Sequence, residues 1–159
     1  MKGDKRVIEI LNTVLKNELT AIHQYFLHSR MLKNWGITII AKHEFEESVD
    51  EMRHADQLVE RILFLEGAPN LNELGKLLIG DSVTEILKSD LKLENLAIPD
   101  LREGIAHCEK TSDYVTRNLL REILESEEEH VDWLEIQFEL IERMGIENYT
   151  QLQSRTSDE

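Results

Sequence analysis

Apolar residues recur along most of the chain at alternating intervals of four and three residues, with charged residues between them. This spacing puts the apolar residues on one face of an α-helix, as expected for helices that bury one side in a bundle. The glycines and prolines fall mostly between these stretches, where such residues end helices. The pattern predicts four long helices and a short tail helix, over residues 4–35, 37–66, 82–110, 113–144 and about 147–153.

The lengths of the connections predict how the helices are arranged. The joints at Gly36 and before the fourth helix are short, so each must join two antiparallel helices. Residues 70–81 are a longer, polar connection that can run along the bundle. The segment Ser82-Val83-Thr84-Glu85 is a capping-box sequence that opens the third helix, and Pro99 is expected to kink or tighten the middle of that helix. We therefore predict one all-α domain over residues 1–159, an up-down-down-up four-helix bundle with one long crossover and a short C-terminal fifth helix.

Each predicted core face contains an acidic residue. The four acids are Glu18, Glu51, Glu94 and Glu127. An ionised carboxylate inside a bundle costs several kcal/mol at least unless it is paired. The same faces contain no lysine or arginine that could pair with them. The acids therefore need another partner, and a metal cation is the simplest one.

The spacing of two histidines identifies that partner. Glu51 and His54, and likewise Glu127 and His130, form Glu-x-x-His pairs, which place an acid and an imidazole on one helix face. Each pair follows its partner acid, Glu18 or Glu94, at the same interval of 33 residues. A helical hairpin thus occurs twice, and packing of the two copies brings both sets together. One such pair occurs often by chance, but two in this register match the ligand set of carboxylate-bridged di-iron bundles.

The charges of this set are balanced by two divalent cations, since four glutamates carry four negative charges and the histidines stay neutral. Carboxylate and imidazole ligands suit Fe and Mn, and also Zn. Iron is favoured because redox chemistry gives the arrangement a purpose. The sequence predicts a centre for two iron ions.

The overall charge and the single cysteine limit the choice of partners and compartment. The formal net charge is -14, which disfavours nucleic acids and anionic membrane surfaces. Cys108 has no second cysteine to pair with, so a reducing compartment is expected. The N-terminus has no apolar signal-like segment, and no apolar run has the length of a membrane span. These features predict a soluble, cytoplasmic protein.

At these residues and beyond them the sequence resembles the bacterioferritins, over nearly the whole chain. The resemblance includes the ligand set and further stretches along three of the predicted helices and the tail. These stretches are Asn17-Glu18-Leu19, Gln24-Tyr25-Phe26-Leu27-His28, Asp50-Glu51-Met52-Arg53-His54-Ala55-Asp56, Glu60-Arg61-Ile62-Leu63-Phe64-Leu65-Glu66-Gly67 and Gly145-Ile146-Glu147-Asn148-Tyr149.

The resemblance implies a ferritin-like fold and an iron-storage ferroxidase. It assigns the ferroxidase centre, with two Fe per subunit, to Glu18, Glu51, His54, Glu94, Glu127 and His130, in which Glu51 and Glu127 bridge the metals. Fe(II) is oxidised by dioxygen or hydrogen peroxide and stored as mineral in a shell of 24 subunits built from twofold dimers. Tyr25 matches a redox-active tyrosine of the family, although a core tyrosine explains it equally well.

The resemblance also implies a haem. Met52 matches the methionine whose two symmetry-related copies bind the iron of one b-type haem between two subunits. Through this haem a small reductant such as a ferredoxin would return electrons for iron release. Some relatives bind iron at the inner surface with a His and an Asp, whereas this chain has Glu46 and Asp50. Asn148 and Gln151 match residues that line a fourfold pore.

Other functions on a similar bundle remain alternatives. A rubrerythrin-like peroxidase with a second iron on paired Cys-x-x-Cys ligands is excluded by the single cysteine. Miniferritins that protect DNA place their metals between subunits and do not need two Glu-x-x-His sets in one chain. A non-storage di-iron peroxidase, or a haem electron-transfer protein with structural acids, stays open.

Overall fold

The computed structural model describes residues 1–154, which form helices and connections without any strand. The helices are α1 Lys5–Asn34, α2 Thr38–Phe64, α3 Val83–Lys110, α4 Tyr114–Met144 and α5 Ile146–Gln153. Each predicted helix is therefore confirmed, with ends that differ by one or two residues. The last five residues of the predicted domain, 155–159, lie outside the described residues. None of the helices in residues 1–154 has both the length and the apolar composition that a membrane span requires.

Side chains cap the first turns of three long helices. The Asp4 carboxylate accepts a hydrogen bond from the Val7 amide at 3.1 Å, and Asp113 caps α4 in the same way. The Ser82 hydroxyl accepts from the Glu85 amide at 3.2 Å, as the capping box predicts. The Glu85 carboxylate, however, accepts from the amide of Asp81 rather than from that of Ser82. The third helix starts where the sequence predicts, and it continues unbroken through Pro99.

The crossover between α2 and α3 lies along α1 and is fixed to it by hydrogen bonds. At one end Asn12 accepts from the amide of Asn70, and Thr20 accepts from Gly75 at 2.8 Å. Farther along, Gln24 and His28 accept from the amides of Leu78 and Gly80. These four side chains extend over 16 residues of α1, or about 24 Å of helix. The crossover therefore runs parallel to α1 for most of the length of the bundle.

The contacts define the direction of each helix. Val7 and Leu11, early in α1, share a core cluster with Ile62, late in α2, so these two helices are antiparallel. Arg6 near the start of α1 bonds Glu103 late in α3, so α1 is antiparallel to α3 as well. Arg61 near the end of α2 bonds Asp113 at the start of α4. Because the crossover returns the chain to the end at which α2 begins, α2 and α3 are parallel. This is the predicted up-down-down-up arrangement.

The apolar core has two large parts, one at each end of the bundle. The first surrounds Leu11, Leu58 and Leu120, and the second surrounds Leu32, Leu87 and Leu134. The second part includes Tyr149 of α5, which is fully buried and whose hydroxyl donates to Gln137 at 2.7 Å. Between the two parts lies a layer of buried polar and charged side chains.

Replacement of Thr20 by Val is expected to destabilise the crossover. Val keeps the shape of the side chain but removes the oxygen that accepts from Gly75. The partly buried amide then lacks its acceptor, so the free energy of unfolding should fall by about 1 kcal/mol. Denaturant unfolding and amide exchange at Gly75 measure the change.

The matched control is Thr13→Val. The hydroxyls of Thr20 and Thr13 each donate to the carbonyl four residues earlier in α1. Thr13, however, is exposed and has no hydrogen bond to the crossover. An equal loss of stability in both variants would contradict the role given to the bond between Thr20 and Gly75.

Candidate metal centre

The six predicted ligands come together in the middle of the bundle in two groups that share one residue. The ligand atoms of the first group lie within 4.8 Å of one another, and so do those of the second. The first group is Glu18, Glu51, His54 and Glu127, and the second is Glu94, Glu127 and His130. The shared residue is Glu127, which is placed to contact both metals of a two-metal centre. Glu51 belongs only to the first group, so its bridging role stays a prediction.

The first group surrounds one nitrogen of His54. The Nδ1 atom of His54 lies 3.4 Å from Glu18 Oε2, 3.6 Å from Glu51 Oε2 and 3.7 Å from Glu127 Oε1. These carboxylates come from three different helices, so the packing of the bundle rather than any single helix assembles them. A cation among them would have oxygen and nitrogen donors on several sides.

The second group is centred on Glu94. The Nδ1 atom of His130 lies 3.0 Å from Glu94 Oε1, and the Tyr25 hydroxyl donates to the same oxygen. Tyr25 is fully buried and its ring meets that of His130 edge to face, with 5.2 Å between the centroids. Burial raises the pKa of Tyr25 well above its ordinary value, so the hydroxyl keeps its proton and holds Glu94 in place.

The protons in this site compensate part of its negative charge. Burial raises the pKa of Glu127 well above its ordinary value, and the neighbouring Glu51 and Glu94 raise it further. Burial also acts to raise the pKa of Glu94, but hydrogen bonds from Glu127 and His130 outweigh it and leave that pKa lowered. Burial lowers the pKa of His130, but Glu94 more than reverses this and raises it to about 9. Near neutral pH, Glu127 and His130 therefore carry protons that metal cations would displace.

The candidate centre is open to solvent at one point. The His54 side chain is 13% exposed, whereas that of Glu18 is 2% exposed. His54 lines a surface pocket of about 420 Å³. The pocket residues are Asp50, Arg53, His54, Gln57, Glu122 and Ser126. This pocket is the visible approach for a cation from the surface to the centre.

Met52 lies on the surface although it follows the buried Glu51. Its side chain is 59% exposed, and Val49 and Phe45, one and two turns earlier on the same side of α2, are also exposed. Phe26 of α1 joins them, because the guanidinium of Arg30 lies over the rings of both phenylalanines, at 5.2 Å and 4.8 Å from their centroids. Apolar side chains that cluster on a surface mark a binding face.

Glu46 and Asp50, the predicted inner-surface pair, do not form such a group. Glu46 is exposed, and Asp50 forms an ion pair with Arg53. Within residues 1–154, neither belongs to a set of three or more potential ligands with atoms within 4.8 Å of one another. Their role as an iron site stays a prediction.

Sequence reasoning missed a second buried polar group next to the centre. Glu44, Asp90 and His28 are fully buried and have ligand atoms within 4.8 Å of one another. Gln24 and His28 both bond Asp90 Oδ1 at 2.9 Å. Burial raises the pKa of Glu44 well above its ordinary value, and the charge of Asp90 raises it further, so Glu44 stays protonated. Glu44 precedes Glu51 by seven residues, a spacing that could have identified this group.

Sequence reasoning also missed a further set of potential metal ligands beside the centre. His43, Glu47 and His130 have ligand atoms within 4.8 Å of one another. The ring of His43 stacks on Trp133 with 3.5 Å between the centroids. Burial lowers the pKa of His43 to about 4, so its imidazole is neutral near pH 7. The signal in the sequence was the spacing of four residues between His43 and Glu47, which places them one turn apart on α2.

Comparison with known proteins agrees with this fold. The ferritin-like domain family matches residues 8–144. The bacterioferritin of Brucella melitensis is 48% identical over 159 residues, which cover 100% of this chain and 99% of that protein. The bacterioferritin of Mycobacterium bovis is 46% identical over 94% of both chains, and that of Rhodobacter capsulatus is 44% identical over 99% of this chain and 98% of its own. The chain therefore belongs to the bacterioferritins, within the ferritin-like domain family.

Proposed function

We propose that this bacterioferritin subunit is a ferroxidase that stores iron as Fe(III) mineral inside a hollow shell of 24 subunits. The observation that carries the proposal is the pair of ligand groups that share Glu127 at mid-bundle, without a lysine or arginine to neutralise them among the described residues. Two Fe(II) ions per chain are the substrate. Each loses one electron, and dioxygen or hydrogen peroxide accepts the electrons.

The six ligand residues bind two iron ions, with different ligands at each position. Glu18 and His54 bind the first ion, and Glu94 and His130 bind the second. Glu127 bridges the two, as its membership of both groups supports, and Glu51 of the first group is proposed as the second bridging ligand. Tyr25 holds Glu94 through its hydroxyl and lies close enough to the centre to supply an electron; a purely structural role of Tyr25 in the core remains the alternative.

Binding of the ions requires that the site give up its protons. Before cations bind, the raised pKa values of Glu127 and His130 leave a proton on each of them. A metal ligand must be deprotonated, so each cation replaces positive charge that protons previously supplied. Because the metal-free site is already folded around its protons, the exchange needs little movement of the helices.

The shell is needed to store the oxidised iron, because a single four-helix bundle cannot enclose a mineral. The net charge of -14 supports this function, since carboxylates along pores and an inner surface raise the local concentration of cations. Glu46 and Asp50 are proposed to face that interior. Asn148 and Gln151 are exposed on α5 and are proposed to line the fourfold pore.

The single cysteine, Cys108, is buried and unpaired, in keeping with a cytoplasmic protein.

The apolar surface around Met52 fits a haem shared by two subunits. An exposed thioether among Phe26, Phe45 and Val49 provides the soft axial donor and the apolar walls that a porphyrin needs. Two such surfaces related by a twofold axis would provide two methionine ligands to one b-type haem. Such a haem supplies a path for electrons from a small reductant, such as a ferredoxin, to stored Fe(III). Met52 would hold its iron, and Phe26 and Phe45 would help to exclude water from it.

Replacement of Glu18 by Ala is expected to slow the initial oxidation of Fe(II) by at least about tenfold, because one iron position loses a ligand. The helices should remain folded, and the metal-free protein should be no less stable, since a buried charge is removed. Stopped-flow absorbance after addition of Fe(II) in air measures the rate. Glu129→Ala is the control, because Glu129 is exposed one residue before His130. An unchanged rate in the Glu18 variant would refute the ferroxidase assignment.

Divalent metal is expected to release protons when it binds near pH 7. The pKa of His130 is about 9 and that of Glu127 is also raised, so both groups hold protons that the metal displaces. About two protons per chain should appear when Zn²⁺ is added in a weak buffer, and metal affinity should rise with pH until His130 loses its own proton. Potassium chloride at equal ionic strength is the control. Binding of Zn²⁺ without acidification would contradict these protonation states.

Replacement of Met52 by Leu is expected to abolish haem binding without loss of ferroxidase activity. Leucine keeps the apolar volume but removes the sulfur ligand, so haem absorption should disappear while sedimentation still shows the assembled shell. Met31→Leu, which removes another thioether from α1, is the matched control and should keep its haem. A full Soret band in the Met52 variant would show that another residue binds the haem iron.

A further inference from the structure

Two residues of α2 lie against the candidate metal centre without belonging to it. His43 and Glu47 are one helical turn apart, and their side chains are 25% and 15% exposed. The Nε2 atom of His43 lies 3.4 Å from Glu47 Oε1, and the other oxygen of Glu47, Oε2, lies 3.7 Å from His130 Nδ1. Glu47 thus stands between two imidazoles, with all three ligand groups within 4.8 Å of one another.

The orientation of His43 is fixed by its neighbour on α4. Its ring is stacked on that of Trp133, with 13° between the planes and 3.5 Å between the centroids. The stack leaves Nε2 directed toward Glu47, where it is buried but makes no hydrogen bond with any residue of the described part of the chain. The Nε2 atom of His130 is likewise buried without a hydrogen bond. Buried nitrogens with no partner are unusual in a folded protein and need an explanation.

We propose that His43 and Glu47, with His130 within reach as a third donor, form an additional site for a divalent cation beside the two-metal centre. One carboxylate and one or two imidazoles suit Zn²⁺, Fe²⁺ or Co²⁺, whereas Ca²⁺ and Mg²⁺ prefer ligands that are all oxygen. A cation there would occupy the orphan nitrogen and offset the charge of Glu47. The site deepens the proposed function and rests on it for its cargo, because it gives the centre a third position for iron.

The proposed site uses different residues from the predicted inner-surface pair, Glu46 and Asp50. Glu46 and Asp50 lie on the same side of α2 as His43 and Glu47, at intervals of three and seven residues from His43. Within the part of the chain that the structure describes, neither belongs to a set of three or more potential ligands with atoms within 4.8 Å of one another. The imidazole for this side of the helix is therefore supplied by residue 43, one turn before residue 46.

Zinc alone tests the proposal on the assembled protein, because Zn²⁺ does not undergo the redox reaction. Equilibrium binding should find three tightly bound Zn²⁺ per chain, and anomalous diffraction from zinc-soaked crystals should show a peak about 2.0–2.1 Å from His43 Nε2. His43→Phe keeps a ring to stack on Trp133 and removes the nitrogen. This variant should bind two Zn²⁺ and lose only that peak.

Two further variants separate the possible outcomes. Glu47→Gln removes the charge with little change of shape and should also lose the third Zn²⁺. His23→Phe, at an exposed histidine of α1, should keep all three. Two zinc peaks at the centre and none at His43 in the unmodified protein would overturn the third site while leaving the proposed function intact. Absence of zinc among Glu18, Glu94 and Glu127 would instead overturn the proposed function.

Discussion

The main constraint on this structure is that four helices bury acidic side chains between them, and no lysine or arginine of the described residues pairs with these acids. Glu18, Glu51, Glu94 and Glu127 are each at most 2% exposed. Before a cation binds, protons held by Glu127 and His130 compensate part of their charge. Such compensation is incomplete, because several carboxylate oxygens of the layer meet no donor within the described residues. The middle of the bundle therefore has polar and charged side chains in place of an apolar core, at the candidate cation site.

The same polar layer fixes the long crossover. Gln24 and His28 each use one end of the side chain to accept from a crossover amide and the other end to bond Asp90. Asp90 lies one turn before Glu94 on α3, and Gln24 precedes Tyr25, which also bonds Glu94. Through these bonds the path of the crossover and the position of a candidate metal ligand are set by one network. A buried network of this kind is specific because each member loses a partner if another moves.

Helix α2 presents different chemistry on its different sides. Successive residues of an α-helix are about 100° apart, so the buried Glu51 and the exposed Met52 can belong to separate sites. The side with Phe45, Val49 and Met52 is apolar and exposed, as an interface between two copies requires. The inward side contains Glu44, Glu51 and Ala55. A third side, with His43 and Glu47, faces Trp133 and His130 of α4. One helix thus links a candidate haem site to candidate iron sites without any shared side chain.

The sequence by itself determined the five helices, their order and the six residues of the candidate centre. It could do so because helical periodicity, glycine and capping residues act locally, and because two Glu-x-x-His pairs at equal intervals from their partner acids leave little freedom of interpretation. Only the tertiary structure decided which further groups meet across helices. Glu44 with Asp90, the stack of His43 on Trp133, and the bonds from Thr20, Gln24 and His28 to the crossover join residues far apart in the chain. Periodicity gives the face on which a residue lies, but the rotation and axial shift of the packed helices decide which residue it meets.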